Sequence, residues 1–190
     1  MQNPLTVCGR PYEDFLSTIQ RFHGWIAPGV VIGGLMVDLA QEHIGPDVEA
    51  DAIIETTRCL PDAIQLFTPC TYGNGWMKVV DWDKFALTLY NKKTLEGIRI
   101  WLDIEKSRRF PDVYNWYMRL ASKEALPLDI LLKSIEEAGG MCSPLFPCGS
   151  SSTMGNRRRE RSRSAPNAAR PIPPARAIGV SPAKGRAITN

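Results

Sequence analysis

Residues 28–44 constrain the fold more than any other stretch. Val30, Val31, Ile32, Leu35, Met36, Val37, Leu39, Ala40 and Ile44 place apolar side chains on almost every side of one helix. Pro28 suits its first turn, and Gly45-Pro46 suits its end. A helix apolar all round has no solvent face and must be covered from most directions. Gly33-Gly34 interrupts it, at a cost of about 1 kcal/mol per glycine relative to alanine. Close approach of another backbone is the expected compensation.

The remaining segments supply the cover. Pro11 opens a helix with Glu13 and Asp14 in its first turn, where the dipole favours anions. Tyr12, Phe15, Leu16, Ile19 and Phe22 form its apolar stripe, and Gly24 is its stop. Residues 52–56 read as a short buried strand. Pro61 begins a third helix, with Ala63, Ile64, Leu66 and Phe67 facing inward. Asp62 in its first turn complements the dipole, with a base beside Cys59 as the lesser reading. Asn74-Gly75 marks a turn. Residues 76–82, 85–90 and 98–103 read as strands, the last two alternating as an antiparallel hairpin with one face on the core. Helices follow from Pro111, burying Val113, Trp116, Tyr117 and Leu120, and from Pro127, burying Leu128, Leu131, Leu132 and Ile135. The class is α+β: a helix-strand-helix-three-strand core with a small mixed sheet covered by helices.

Charge divides the chain. Nine Arg or Lys and one acid lie from Gly155 onward, against 14 basic and 19 acidic residues before it. Residues 1–10 are expected to be a flexible N-terminus, 11–148 the folded domain, and 149–190 a disordered basic tail. The tail has no aromatic residue for stacking on single-stranded nucleic acid, so a solvated tail is the favoured reading over a nucleic-acid-binding one. No apolar run approaches the ~18 residues of a membrane span. The first 20 residues have no signal-peptide pattern. Five irregularly spaced cysteines fit a reducing, cytoplasmic setting better than a disulfide framework.

Chemistry concentrates at residues 22–29, Phe22-His23-Gly24-Trp25-Ile26-Ala27-Pro28-Gly29, which hold one of only two histidines. His23 offers a ring nitrogen to a metal. Cys59 precedes the helix begun at Pro61, where a helix N-terminus would favour its thiolate. Cys70 follows the same helix, roughly 15 Å further along if that helix is straight. Gly24 and Gly29 turn backbone N–H groups toward one region that could hold an anion. Cys8 and His43 are read as bystanders. Trp101 and Arg99 share the second face of the hairpin, a candidate dimer surface.

The block Phe22-His23-Gly24, with Ala27-Pro28-Gly29, resembles the opening motif of the FmdE-like family, the E-type subunits of formylmethanofuran dehydrogenase. So do Glu55, Cys59, Asp62-Ala63-Ile64-Gln65, and Cys70-Thr71 with Gly73 and Gly75. The resemblance spans roughly residues 12–140. It implies a mixed-sheet α+β core and a metal-binding protein accessory to molybdenum or tungsten enzyme metabolism. The implied ligands are His23, Cys59 and Cys70, the implied cofactor a divalent ion with zinc first, and the implied partners a second copy and a molybdenum or tungsten oxidoreductase. Trp25 stands where the family places a second histidine, and Ala27 where it often places a cysteine. Cys142 and Cys148 alone cannot form the zinc ribbon with which many members end. Two alternatives accompany this reading: a small-molecule enzyme using Cys59 or a metal-bound water, and an interaction module whose basic tail contacts nucleic acid.

Overall fold

A computed structural model describes residues 5–122, 124–139 and 148–151, the last four as backbone only. The α+β expectation holds. The central helix is α2, Pro28–Ile44, buried along most of its length. It packs against α1 (Tyr12–His23), α3 (Leu60–Phe67) and α6 (Leu128–Gly139), and against strands β5 (Ala86–Asn91) and β6 (Gly97–Trp101). The all-round apolar pattern is thus answered by helices on some sides and a sheet on another.

The glycine pair has a different cause from the expected backbone approach. A Cβ on Gly33 would lie 2.7 Å from the Cβ of Ala63 and 3.0 Å from Leu60 Cδ1. A Cβ on Gly34 would lie 2.4 Å from the Phe15 ring. Side chains of α3 and α1 fill the two grooves, and the glycines let them seat.

The sheet runs in the order β4-β3-β5-β6-β7, with β3 at Ala50–Ile54, β4 at Met77–Val79 and β7 at Cys148–Ser151. Strand β3 pairs parallel to β4, with α3 as the crossover between them, and antiparallel to β5. Strands β5 and β6 form the expected hairpin, Leu87 opposite Ile100 and Leu89 opposite Ile98. Ala52, Ile54, Leu87, Leu89, Ile98 and Ile100 are buried on the core face, while Asp51, Thr88, Tyr90, Arg99 and Trp101 alternate with them and stay partly exposed.

Several boundaries differ from expectation. Residues 5–10, expected to be loose, form a small hairpin of β1 (Thr6–Val7) and β2 (Arg10–Pro11). Val7 is fully buried, and the Cys8 N–H donates to Asp38 Oδ1 at 2.6 Å. Residues 149–151, assigned to the tail, instead belong to β7 at the sheet edge. The tail from 152 onward lies outside the described residues. Asp103, placed in a strand by alternation, caps a short helix α4 (Ile104–Ser107) by accepting the Lys106 N–H at 3.1 Å. Helix α5 (Pro111–Tyr117) ends before Leu120, which is 67% exposed because Arg119 turns the chain at φ +56°. In α6 the buried face is Leu131, Ile135 and Ala138, and Leu128 is exposed. Among the described residues no helix is long and apolar enough to cross a membrane.

Candidate functional site

Gly24 ends α1 in the left-handed conformation, φ +92°, and its N–H donates to the Gln20 carbonyl at 3.0 Å. That bond occupies the group expected to face an anion, so Gly24 acts as a helix stop. The turn aims His23, the last residue of α1, at α3. His23 Nδ1 lies 2.6 Å from Asp62 Oδ2 in the first turn of α3. An ionised carboxylate only accepts, so in the neutral imidazole Nδ1 carries the proton and Nε2 keeps its lone pair.

Cys59 is the N-cap residue of α3 and sits at φ +54°, uncommon for a residue with a side chain. Its carbonyl accepts the Asp62 N–H at 3.1 Å, so Cys59 and the partner of His23 share one turn. Gly29, in the first turn of α2, faces Cys59: a Cβ there would meet both Cβ and Sγ of Cys59 at 2.8 Å and Trp116 Cη2 at 3.7 Å. Gly29 is therefore needed for close approach of α2 to the thiol. Trp25 is half-exposed beside the pair, its ring centroid 6.0 Å from that of His23.

The surroundings of Cys59 work against the expected thiolate. Burial pushes its pKa up, and the Asp62 carboxylate pushes it further, while Arg58 only partly opposes them. Both effects act against the pull of the α3 N-terminus on a thiolate. A nucleophilic Cys59 loses its main electrostatic argument.

Cys70 goes elsewhere. It is fully buried, and its thiol donates to the Ala50 carbonyl at 3.3 Å, beneath strand β3. Burial raises its pKa as well. Among the described residues no group of three or more His, Cys, Asp and Glu side chains is gathered as a metal set. Of the expected ligands, His23 bonds Asp62 in the turn of α3 that Cys59 caps, while the Cys70 thiol is tied to the sheet. Cys142 and the side chain of Cys148 lie outside the described residues.

The FmdE family, described as molybdenum formylmethanofuran dehydrogenase operon, matches residues 22–142, from the start of the His23 turn through α6. The chain belongs to the FmdE family. The crystal structure of a tungsten formylmethanofuran dehydrogenase FmdE-like protein from Syntrophus aciditrophicus is 40% identical to it, with a TM-score of 0.69, over 80% of this chain and 78% of that one. A curated relative from Archaeoglobus fulgidus, named probable S-adenosyl-L-methionine-binding protein, is 34% identical over 117 residues. That match takes in 57% of this chain and 29% of the relative, so the chain spans under a third of that protein's length.

Two polar pairs in this FmdE chain are not visible in its sequence. Asp62, expected as a dipole complement or a base near Cys59, stands in the first turn of α3 and is also the partner of His23. Glu55, buried at 3% exposure just past β3, takes a bidentate bond from Arg99, Nε to Oε1 at 2.6 Å and Nη2 to Oε2 at 2.8 Å. Glu55 and Asp62 both stand in the motif that carries the family resemblance. That placement is the available signal; periodicity carries none, because the partners are 44 and 39 residues apart.

Proposed function

We propose that this FmdE chain is an accessory metal-binding protein in which His23 Nε2 and Cys59 Sγ hold a divalent ion of the zinc class. The observation that carries the reading is the His23–Asp62 bond at 2.6 Å. Metal-bound histidines characteristically donate their other ring N–H to a carboxylate, which fixes the tautomer and strengthens the ligand. An imidazole and a thiol suit zinc, and the ion would displace the proton that the neutral thiol retains. Asp62 is the orienting residue in this reading.

Two protein donors fall short of the three that a catalytic zinc site uses. A structural zinc site uses four, so further ligands would have to complete the shell in either case. Trp25 and Ala27 add no metal-binding donor to this turn. The family's operon description and the wording of the Syntrophus aciditrophicus structure support a setting in molybdenum or tungsten enzyme metabolism. An oxidoreductase of that class is the proposed partner, and a second copy of the chain the proposed assembly state.

Elemental analysis of the purified full chain tests the site. The wild type should carry more zinc per chain than a His23→Ala, Cys59→Ala double variant. Equal metal content in the two proteins would remove the site.

A further inference from the structure

A pocket of about 330 Å³ opens beside this turn and is lined by Thr56, Arg58, Asp83, Phe85, Tyr117 and Arg119. That volume is at the lower end of the range for small-ligand sites. Arg58 and Arg119 both line it, and neither side chain makes an ion pair or a hydrogen bond among the described residues. Arg99 and Arg108, by contrast, are committed to Glu55 and Glu105. Phe85 and Tyr117 meet edge to face, with ring centroids 6.4 Å apart, and form an apolar wall. Asp83 is the one acid in the lining, leaving an excess of one positive charge.

The backbone supports a built pocket. Asp83 and Arg119 sit at φ +53° and +56°, and Cys59, next to Arg58, at φ +54°. Among the described residues, three of the five positive-φ residues other than glycine thus lie in or beside this wall. Burial and then Asp83 push the Tyr117 pKa up, so its hydroxyl stays a neutral donor.

We propose that this pocket binds a small oxyanion, a carboxylate or a phosphoryl group, between the guanidinium groups of Arg58 and Arg119, with the Tyr117 hydroxyl as a third donor. Guanidinium donors are planar forks that match both anion types, and among the described residues no carboxylate uses these two. The proposal does not rest on a metal at His23 and Cys59.

Calorimetric titration of the full chain with inorganic phosphate and, separately, with malonate tests it, at fixed ionic strength set by sodium chloride. Saturable binding is expected for at least one anion, and the stronger arm identifies the group. Arg58→Gln with Arg119→Gln should weaken that binding by tenfold or more, since two charge-assisted contacts are lost. Arg21→Gln, on exposed α1, should leave it unchanged. Asp83→Asn should tighten it several-fold, and asparagine tolerates the positive φ, so the fold is kept. Stripping metal with 1,10-phenanthroline, a neutral chelator, should not alter the affinity. No saturable binding of either anion, or equal binding by the double variant, overturns the proposal. Loss on metal removal also overturns it, by placing the anion on a metal ion instead of on the arginines.

Discussion

His23 Nδ1 and Asp62 Oδ2 meet at 2.6 Å across 39 residues of chain, joining the end of α1 to the start of α3. The bond leaves Nε2 of the neutral imidazole free to act as a ligand. If that nitrogen binds the ion, Asp62→Asn should keep the fold and weaken zinc binding by roughly 10–100-fold, the range for loss of a carboxylate behind a metal-bound histidine. Competition with a zinc-sensitive dye measures it. An affinity within about twofold of wild type would leave Asp62 a structural partner only.

Cys59 makes a pH-dependent prediction. Its thiol is held above the ordinary thiol range by burial first and Asp62 second. Alkylation of the metal-free protein by iodoacetamide should therefore rise at higher pH than for an exposed cysteine. Asp62→Asn removes one of the two causes, so it should move the profile to lower pH and speed the reaction at any fixed pH below the plateau. A profile unmoved by Asp62→Asn would show that burial alone sets the thiol.

The same direction bears on stability. Cys8, Cys59 and Cys70 all have raised folded-state pKa values, each with burial as its largest cause. Their neutral thiols are retained in the fold while the unfolded chain ionises, so the contribution is full below the unfolded thiol value of about 8.5 and is lost as pH climbs above it. Urea midpoints of the metal-free protein should fall between neutral pH and pH values above that. A midpoint that rises over the interval would contradict the assignment.

The sequence encodes these features unevenly. The apolar run of α2, the proline-started helices and the alternating hairpin are readable because each writes a local period into the chain. Elements without a period are not. The β1–β2 hairpin has two residues per strand and is held by Val7 burial and the Cys8–Asp38 bond, both tertiary. Helix α4 is a single capped turn after a strand, so alternation runs straight through Asp103. At the proposed site, chemistry and motif single out His23, Cys59 and Cys70, and spacing cannot tell them apart. That the Cys70 thiol turns to the Ala50 carbonyl is a tertiary fact with no trace in the spacing. The raised thiol pKa of Cys59 is hidden for a similar reason: its largest cause, burial, acts only once the helices are packed.

Gly34 tests that packing. Alanine there gains about 1 kcal/mol in helix propensity but places a Cβ 2.4 Å from the Phe15 ring, which is itself buried and stacked on Phe67 at 4.9 Å. Overpacking costs about 1–3 kcal/mol, so the clash should win and Gly34→Ala should be net destabilising. Combining it with Phe15→Leu should cost less than the sum of the two single changes, as urea unfolding of the four proteins would show. Additive losses would mean that the ring moves aside freely.

Glu55 and Arg99 give an asymmetric pair. Glu55 is almost fully buried, while Arg99 keeps about a third of its side chain in water, 35% exposed. Arg99→Met strands a buried carboxylate and should cost about 3 kcal/mol or more. Glu55→Gln leaves a guanidinium that water reaches, and should cost less. Equal losses in denaturant unfolding would place the two partners in similar environments.

The most direct test of the proposed centre is zinc K-edge X-ray absorption on the zinc-loaded full chain and its Cys59→Ser variant. The account predicts a wild-type first shell that includes a sulfur at about 2.3 Å and a nitrogen at about 2.0–2.1 Å, with the sulfur contribution reduced in Cys59→Ser. A wild-type shell of oxygen and nitrogen alone, or a sulfur contribution identical in both proteins, would contradict it.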